Sequence, residues 1–212
     1  MRLLSHYELF IFDWDHTLTT STLLVTLLYM ASRRGKHRSA ETLRKSAPSN
    51  FSTEGVAVKE ETSKIYSLFD DAYSLIFRPK LKPGALELLK FLKGKGKKIA
   101  IFSDSKAYRL LSETKQLGVR DYVDFALSAE SISRYKPNPT GLLLLTDRLR
   151  VPKEKCLYVG DMAGDILTAK LAGMDSCGVA DGIGSLESLS VENPEHVFPR
   201  LSSFFQALRE GK

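Results

Sequence analysis

The chain has 212 residues, of which 43% are hydrophobic, and a formal net charge of +6. These values suit one sizeable domain, or a domain with a small insert, that buries an ordinary core. No apolar stretch is long enough to cross a bilayer, the N-terminus lacks the pattern of a cleavable signal, and the two cysteines give no disulfide framework. We therefore expect a cytoplasmic protein that does not enter a membrane.

The positive charge suits an anionic substrate without requiring one. Two basic clusters contribute to it, at residues 33–38 and 93–98. The second lies near a predicted helix end, where lysine complements the helix dipole, and the first could line a substrate entrance or simply be solvated. Neither cluster has interleaved aromatic residues or a nucleic-acid motif, so we expect no nucleic-acid partner.

The first predicted strand ends in a pair of carboxylates. An apolar run predicts a buried strand over residues 8–13, and Asp13, Asp15 and Thr17 follow at its end. Carboxylates at the carboxyl end of a parallel strand lie in the crevice where open α/β sheets bind ligands, and on a straight strand both side chains would share one face. Two such anions repel each other unless a cation or a shared proton relieves them. The pair therefore indicates a magnesium site, an acid/base pair, or a carboxylate nucleophile with a helper.

Residues 20 to 80 have a helical pattern with no strand between the helices. Apolar residues recur at helical spacing in two stretches, and the members of each stretch share one helix face: Leu23, Leu24, Leu27, Leu28 and Ala31, and then Ile65, Leu68, Phe69, Ala72, Tyr73 and Ile76. A loop is expected between them at residues 48–50.

Beyond residue 80 strands alternate with helices, which predicts an α/β fold with a parallel sheet covered on both faces. Pro83-Gly84 opens a helix that Gly94 to Gly96 closes. Gly118 and Gly173 are expected to end helices, and Gly141 to mark close packing. The remaining strands are predicted at 98–103, 124–128, 156–160 and 176–180, and the remaining helices at 106–117, 139–149, 163–172 and 201–209.

Further polar residues follow the later strands. Ser103 ends the second strand, Lys136 stands in a Lys-Pro-Asn-Pro sequence before a helix, and Asp161 and Asp165 follow Gly160. With Asp13, Asp15 and Thr17, these residues resemble the haloacid dehalogenase superfamily of phosphohydrolases. The pattern of that family is Asp-x-Asp-x-Thr, then Ser or Thr after a strand, then Lys near a helix start, then Gly-Asp-x-x-x-Asp.

The resemblance implies a Rossmann-like, doubly wound parallel sheet with an inserted helical cap. The core domain would comprise residues 1–19 and 81–212, and a small α-helical cap would occupy residues 20–80. The sequence at 178–185 is similar to the branch of the family that contains phosphoglycolate phosphatases.

By the same resemblance, Asp13 would attack phosphorus and become an aspartyl phosphate. Asp15 would protonate the leaving oxygen and then accept a proton from the attacking water. Mg²⁺ would bind Asp13, the backbone carbonyl of Asp15, and Asp161. Asp165 would either contact the ion, directly or through water, or orient Lys136.

Ser103 and Lys136 would bind the phosphate, one through its hydroxyl and the other through its charge. The sequence departs from the family pattern at two positions. His16 stands where glycine is common, and Asp104, which would border the phosphate site, stands where asparagine is common. An acid beside a phosphate is expected only if it points away, contacts the cap, or meets a cationic substrate group.

The resulting hypothesis is a Mg²⁺-dependent phosphatase for a small phosphorylated metabolite. A pyrophosphatase, a nucleotidase or a phosphomutase would use the same residues. A phosphate-binding module without turnover is an alternative of another class, although binding alone has no need of the acid at Asp15. The choice between a monomer and a homodimer stays open.

Overall fold

The computed structural model of the protein describes residues 3–20 and 79–211. Its strands, in chain order, are β1 (Leu9–Phe12), β2 (Thr19–Thr20), β3 (Lys80–Leu81), β4 (Lys98–Ser103), β5 (Phe125–Ser128), β6 (Cys156–Gly160), β7 (Asp175–Val179) and β8 (His196–Phe198). Six of them form one sheet in the order β5-β4-β1-β6-β7-β8, and every pair of neighbours in it is parallel. The predicted α/β class and parallel sheet are confirmed.

Helices connect and cover these strands. They are α1 (Leu3–His6), α2 (Ala85–Gly94), α3 (Ala107–Gln116), α4 (Ala129–Ile132), α5 (Thr140–Leu149), α6 (Ala163–Ala172), α7 (Leu186–Ser190) and α8 (Leu201–Glu210). Within residues 3–20 and 79–211, none of the helices has the length and apolar character needed to cross a membrane.

The centre of the sheet is apolar on both faces. All four residues of β1 are fully buried, and β1 pairs with β4 on one side and β6 on the other. Continuous burial of this kind is typical of a parallel strand covered by helices on both sides. The apolar run that predicted the first strand is therefore also the reason that β1 occupies the middle of the sheet.

Alternate residues of β1 contribute to two separate cores, because successive side chains of a strand point to opposite faces. Phe10 and Phe12 pack in a cluster that includes side chains of α2, α3 and α8. Leu9 and Ile11 pack in a second cluster with side chains of α5 and α6. Helices thus cover both faces of the sheet, as a doubly wound fold requires.

The longer predicted elements agree with the observed ones to within one or two residues, and the short elements were missed. The missed elements are α1, α4, α7, the short paired strands β2 and β3, and the edge strand β8, each of five residues or fewer. Such short segments do not complete enough of a periodic pattern to be recognised in a sequence. Gly173 ends α6 in the left-handed conformation and Gly118 follows α3 with a φ of 67°, which confirms both predicted helix ends.

The chain segments on either side of residues 21–78 lie next to each other. Thr19 pairs with Leu81 and Thr20 pairs with Lys80 in the antiparallel pair of β2 and β3. The two helical patterns predicted for the cap, the loop at 48–50 and the basic cluster at 33–38 lie outside the described residues. The division into a core and a cap at 20–80 therefore stays a prediction.

Gly141, on the first turn of α5, lies directly against an aromatic ring of β4. A Cβ atom at this position would be 2.2 Å from both Cε2 and Cζ of Phe102, which is fully buried. The absence of a side chain is what allows α5 to approach the sheet so closely. The expectation of close packing at Gly141 is confirmed.

Replacing Gly141 with alanine should lower the free energy of unfolding, because the new methyl group overlaps a buried ring that has no room to move. We expect a loss of about 1–3 kcal/mol, as for other overpacked cores. Gly94→Ala is the matched control, since a Cβ at Gly94 would meet no atom within 4 Å. Urea unfolding of both variants checks the prediction, and equal midpoints for the two would contradict it.

Candidate active site at the carboxyl ends of the central strands

The strand order brings three polar residues together at one edge of the sheet. Asp13 directly follows β1, Ser103 is the last residue of β4, and Asp161 directly follows β6. Because β4 and β6 flank β1, these residues lie side by side at the carboxyl ends of adjacent parallel strands, where open α/β sheets bind ligands.

Three carboxylates form a buried cluster at this edge. One carboxylate oxygen from each of Asp13, Asp161 and Asp165 lies within 4.8 Å of the other two. The exposed fractions of the three residues are 5%, 1% and 2%. Asp165 joins the cluster because α6 begins just after β6, so that its first turn returns over the strand end.

A single ammonium group stands among these carboxylates. The Lys136 Nζ donates hydrogen bonds of 2.7 Å to Asp13 Oδ1 and of 2.7 Å to Asp165 Oδ1. The Tyr158 hydroxyl donates to the same oxygen of Asp165 over 3.1 Å. Lys136 therefore bridges the first and last acidic residues of the cluster, which lie 152 positions apart in the sequence and on different elements.

Among the described residues, the three carboxylates carry more negative charge than the ammonium group of Lys136 can compensate. Burial raises the pKa of Asp13 well above its usual range, although Lys136 opposes this shift. Burial and the neighbouring Asp165 raise the pKa of Asp161 to about 6. Both shifts have the sign expected when anions are desolvated close to one another.

Hydrogen-bond donors fix the orientation of Asp161. The Thr17 hydroxyl donates to its Oδ1 over 2.9 Å, and the backbone N–H of Ile183 donates to its Oδ2 over 2.7 Å. The loop around Ile183 approaches so closely that a Cβ at Gly182 would be 2.2 Å from the same Oδ2. Sequence reasoning treated this loop only as a mark of the family branch and missed its contact with Asp161. The hydroxyl of Thr17 thereby joins the loop after β1 to Asp161.

The donor set fits a divalent cation. It consists of carboxylate oxygens, which are the ligands that Mg²⁺ and Ca²⁺ prefer, and it is buried with incomplete charge compensation. Four residues were predicted as metal ligands. Within the described residues, three of them, Asp13, Asp161 and Asp165, lie together. The carboxylate of Asp15 lies outside this group.

Asp15 has different partners. Because β1 ends at Phe12, both acidic residues lie beyond the strand rather than on a straight extension of it. The Asp15 carboxylate accepts hydrogen bonds from the Ser105 hydroxyl and from the Arg109 guanidinium, both near the start of α3. The two carboxylates of the first motif therefore have separate environments, one within the acidic cluster and one beside a cation.

The two departures from the family pattern have local explanations. His16 adopts the left-handed conformation with φ of 63°, which glycine adopts without strain and histidine only occasionally. Burial lowers the pKa of its half-buried imidazole. Asp104 Oδ1 accepts a hydrogen bond of 3.0 Å from the backbone N–H of Lys136. Asp104 thus holds the loop that carries the lysine, which accounts for an acid next to the expected phosphate site.

A family profile described as haloacid dehalogenase-like hydrolase matches residues 10–179. The chain belongs to this family, and the predicted class of enzyme, a phosphatase of the haloacid dehalogenase superfamily, is confirmed.

The chain is similar to curated bacterial proteins named phosphoglycolate phosphatase. It is 25% identical over 169 residues to one from Shigella boydii, a match that covers 79% of this chain and 67% of that one. It is 24% identical over 155 residues to one from Escherichia coli K12, covering 72% and 62% of the two chains.

Solved structures share the fold. A crystal structure of a HAD family hydrolase from Deinococcus radiodurans superimposes with a TM-score of 0.69 at 20% identity, covering 97% of this chain and 96% of that chain. At this identity the likeness concerns the fold.

Asp161→Asn should stabilise the protein when metal is withheld. The folded-state pKa of about 6 exceeds the model-compound value of 3.8, so the contribution of this carboxyl to stability is present at low pH and is lost as the pH rises through about 6. A shift of this size corresponds to about 3 kcal/mol. We expect the free energy of unfolding in EDTA at pH 7 to rise by about 1–3 kcal/mol, and the gain to shrink at pH 5.

Urea unfolding with EDTA and with Mg²⁺ checks this prediction. Mg²⁺ should stabilise the unmodified protein more than the variant, because the variant has lost one anionic ligand. Asp121→Asn, at an exposed position outside the site, is the control and should change neither value. A variant less stable than the unmodified protein in EDTA would contradict the prediction.

Proposed function

We propose that this protein is a Mg²⁺-dependent phosphatase that hydrolyses a small phosphate monoester through an aspartyl phosphate on Asp13. The observation that carries the proposal is the buried group of Asp13, Asp161 and Asp165 with Lys136 among them. A buried excess of negative charge at a strand end is costly unless a bound cation compensates it. Sites of this kind are often functional.

The carboxylates of Asp13, Asp161 and Asp165 and the backbone carbonyl of Asp15 would hold the magnesium ion. When bound, the ion would offset the repulsion between the carboxylates and the phosphate. Asp165 already accepts from Lys136, Tyr158 and the backbone N–H of Met162. These contacts support a role for Asp165 in orienting Lys136, whether or not it also touches the ion.

Asp13 and Asp15 would perform the covalent chemistry. A carboxylate oxygen of Asp13 forms a bond to phosphorus as the bond from phosphorus to the leaving oxygen breaks, and Asp15 gives its proton to that oxygen. Water then attacks the phosphorus of the aspartyl phosphate, Asp15 accepts a proton from it, and Asp13 leaves as a carboxylate. The two carboxylates have different partners, Lys136 for Asp13 and Arg109 for Asp15, so that each is held separately.

Ser103, Lys136 and the first turn of α3 would bind the phosphate oxygens. The Ser103 oxygen accepts from the backbone N–H of Ser105 over 3.0 Å, which orients its hydroxyl. The N-terminus of α3 follows Ser103 within four residues, and its dipole would favour an anion there. Lys136 would shift its interactions from the carboxylates to the phosphate oxygens as charge develops there.

A small phosphorylated metabolite is the proposed substrate class, and phosphoglycolate is one member to test. The relatives named phosphoglycolate phosphatase support this class at 24–25% identity. A pyrophosphatase, a nucleotidase or a phosphomutase of the same superfamily is the alternative. We also propose a cytoplasmic enzyme in which residues 20–80 form a cap that sets specificity over a core formed by residues 1–19 and 81–212.

Release of inorganic phosphate from a panel of phosphate esters and pyrophosphate tests this function. With Mg²⁺ we expect one ester to be preferred, EDTA to stop release, and Mg²⁺ to restore it. Asp13→Asn should lower kcat by at least about 10³-fold, because it removes the nucleophile. The variant should still bind inorganic phosphate.

Three outcomes would count against the proposal. If the folded protein releases no phosphate from any compound of the panel, a binding module without turnover is favoured. Migration of phosphate within a sugar phosphate, without release, would favour a phosphomutase. Phosphoenzyme formed by Asp13→Asn would disprove the assignment of the nucleophile.

A further inference from the structure

The Asp15 carboxylate is held at both of its oxygens, by a residue of the loop after β4 and by a residue of α3. The Ser105 hydroxyl donates to Oδ2, and Nη2 of Arg109 donates to Oδ1. Ser105 lies between β4 and α3, and Arg109 lies on the first turn of α3. A rigid helix therefore sets the orientation of a side chain that belongs to the loop after β1.

Arg109 is itself held by a buried carboxylate. Its Nε donates to Glu113 Oε1 over 2.8 Å, one helical turn further along α3. The second oxygen of Glu113 accepts from Trp14 Nε1 over 2.6 Å. The side chain of Glu113 is only 5% exposed and that of Arg109 only 18%. Neither side chain has much freedom to change its position.

These contacts form a closed path. Trp14 is the residue between Asp13 and Asp15, and it is fully buried. The path runs from Trp14 through Glu113 and Arg109 to Asp15, the residue next to Trp14 in the chain. It therefore fixes both the backbone and the carboxylate of the loop after β1 against the same helix.

The chemistry of the path requires arginine. A guanidinium presents its Nε and Nη donors in a fixed planar fork, so one side chain can bind two carboxylates in defined directions. A lysine ammonium in the same place is a point charge and sets no such direction. Glu113 would lose a charged partner if Arg109 were neutral, and a buried carboxylate without one is costly.

We propose that Arg109, held by Glu113, is a positioning residue that orients the Asp15 carboxylate for proton transfer to the leaving oxygen. This inference rests on the proposed phosphatase function and adds to it a residue outside the motifs that indicated the family. In this role Arg109 acts through Asp15.

The dependence on the leaving group tests this role. Nitrophenolate leaves without a proton, whereas an alkoxide requires one. The comparison uses kcat/KM for an alkyl phosphate and for p-nitrophenyl phosphate. For each substrate this constant reports the steps up to departure of the leaving group, so attack of water on the phosphoenzyme does not affect it. We expect Arg109→Lys to lower kcat/KM about 10- to 100-fold for the alkyl phosphate preferred in the panel, as for a misplaced catalytic group. The value for p-nitrophenyl phosphate should change less than about 3-fold.

A double-mutant cycle separates positioning from any other role. In an Asp15→Asn background, measured by single turnover at high enzyme concentration, Arg109→Lys should cause no further loss, because residues that act as a unit are not additive. Glu113→Gln keeps an acceptor for Trp14 and removes the charge that holds Arg109. It should show a smaller loss with the same dependence on the leaving group, and it serves if Arg109→Lys fails to fold. Arg120→Lys, at an exposed position on another element, is the matched control.

Equal losses on both substrates would overturn the inference and indicate a general structural effect. A loss that persists in the Asp15→Asn background would also overturn it, and would indicate that Arg109 contacts the substrate directly. Failure of the proposed function gives a different result: the unmodified protein then releases no phosphate from any ester. In that case the inference about Arg109 fails as well.

Discussion

The geometry of the site depends on the burial of three carboxylates around the ammonium group of Lys136. Asp13, Asp161 and Asp165 would not remain close together unless surrounding groups held them, because their mutual repulsion and desolvation oppose ionisation. The apolar strands β1 and β6 supply the rigid support, and Lys136 supplies the compensating charge. An electrostatic cost of this kind at a site is tolerated when the remaining core is well packed.

The site contains a second charge network, which meets the first at the loop after β1. The acidic cluster is built from β6, α6 and the loop of Lys136, whereas Asp15 is bound by Arg109 of α3. The two carboxylates of one short motif are therefore held by different partners, as the separate roles proposed for them require. Trp14 connects the networks because its indole N–H reaches Glu113.

A third set of contacts ties the acidic cluster to the chain that leads away from β3. Lys82 is buried and forms an ion pair of 2.7 Å with Asp181, which also accepts from the backbone N–H of Leu201. The loop that follows Asp181 carries the N–H of Ile183 to Asp161. The loop at 181–184 is thus fixed from both sides, and its glycines allow the backbone to approach the carboxylate.

The sequence by itself determined the main strands and helices, the parallel α/β class, and which polar residues follow the strands, because apolar periodicity and glycine positions are local properties. It also indicated Asp13, Asp161 and Lys136, which lie at strand ends or before a helix. Only the tertiary structure decided that Asp104 binds the Lys136 backbone and that Arg109 and Glu113 hold Asp15. These pairings join residues on different elements, and their geometry depends on how the helices pack on the sheet, which no local pattern specifies.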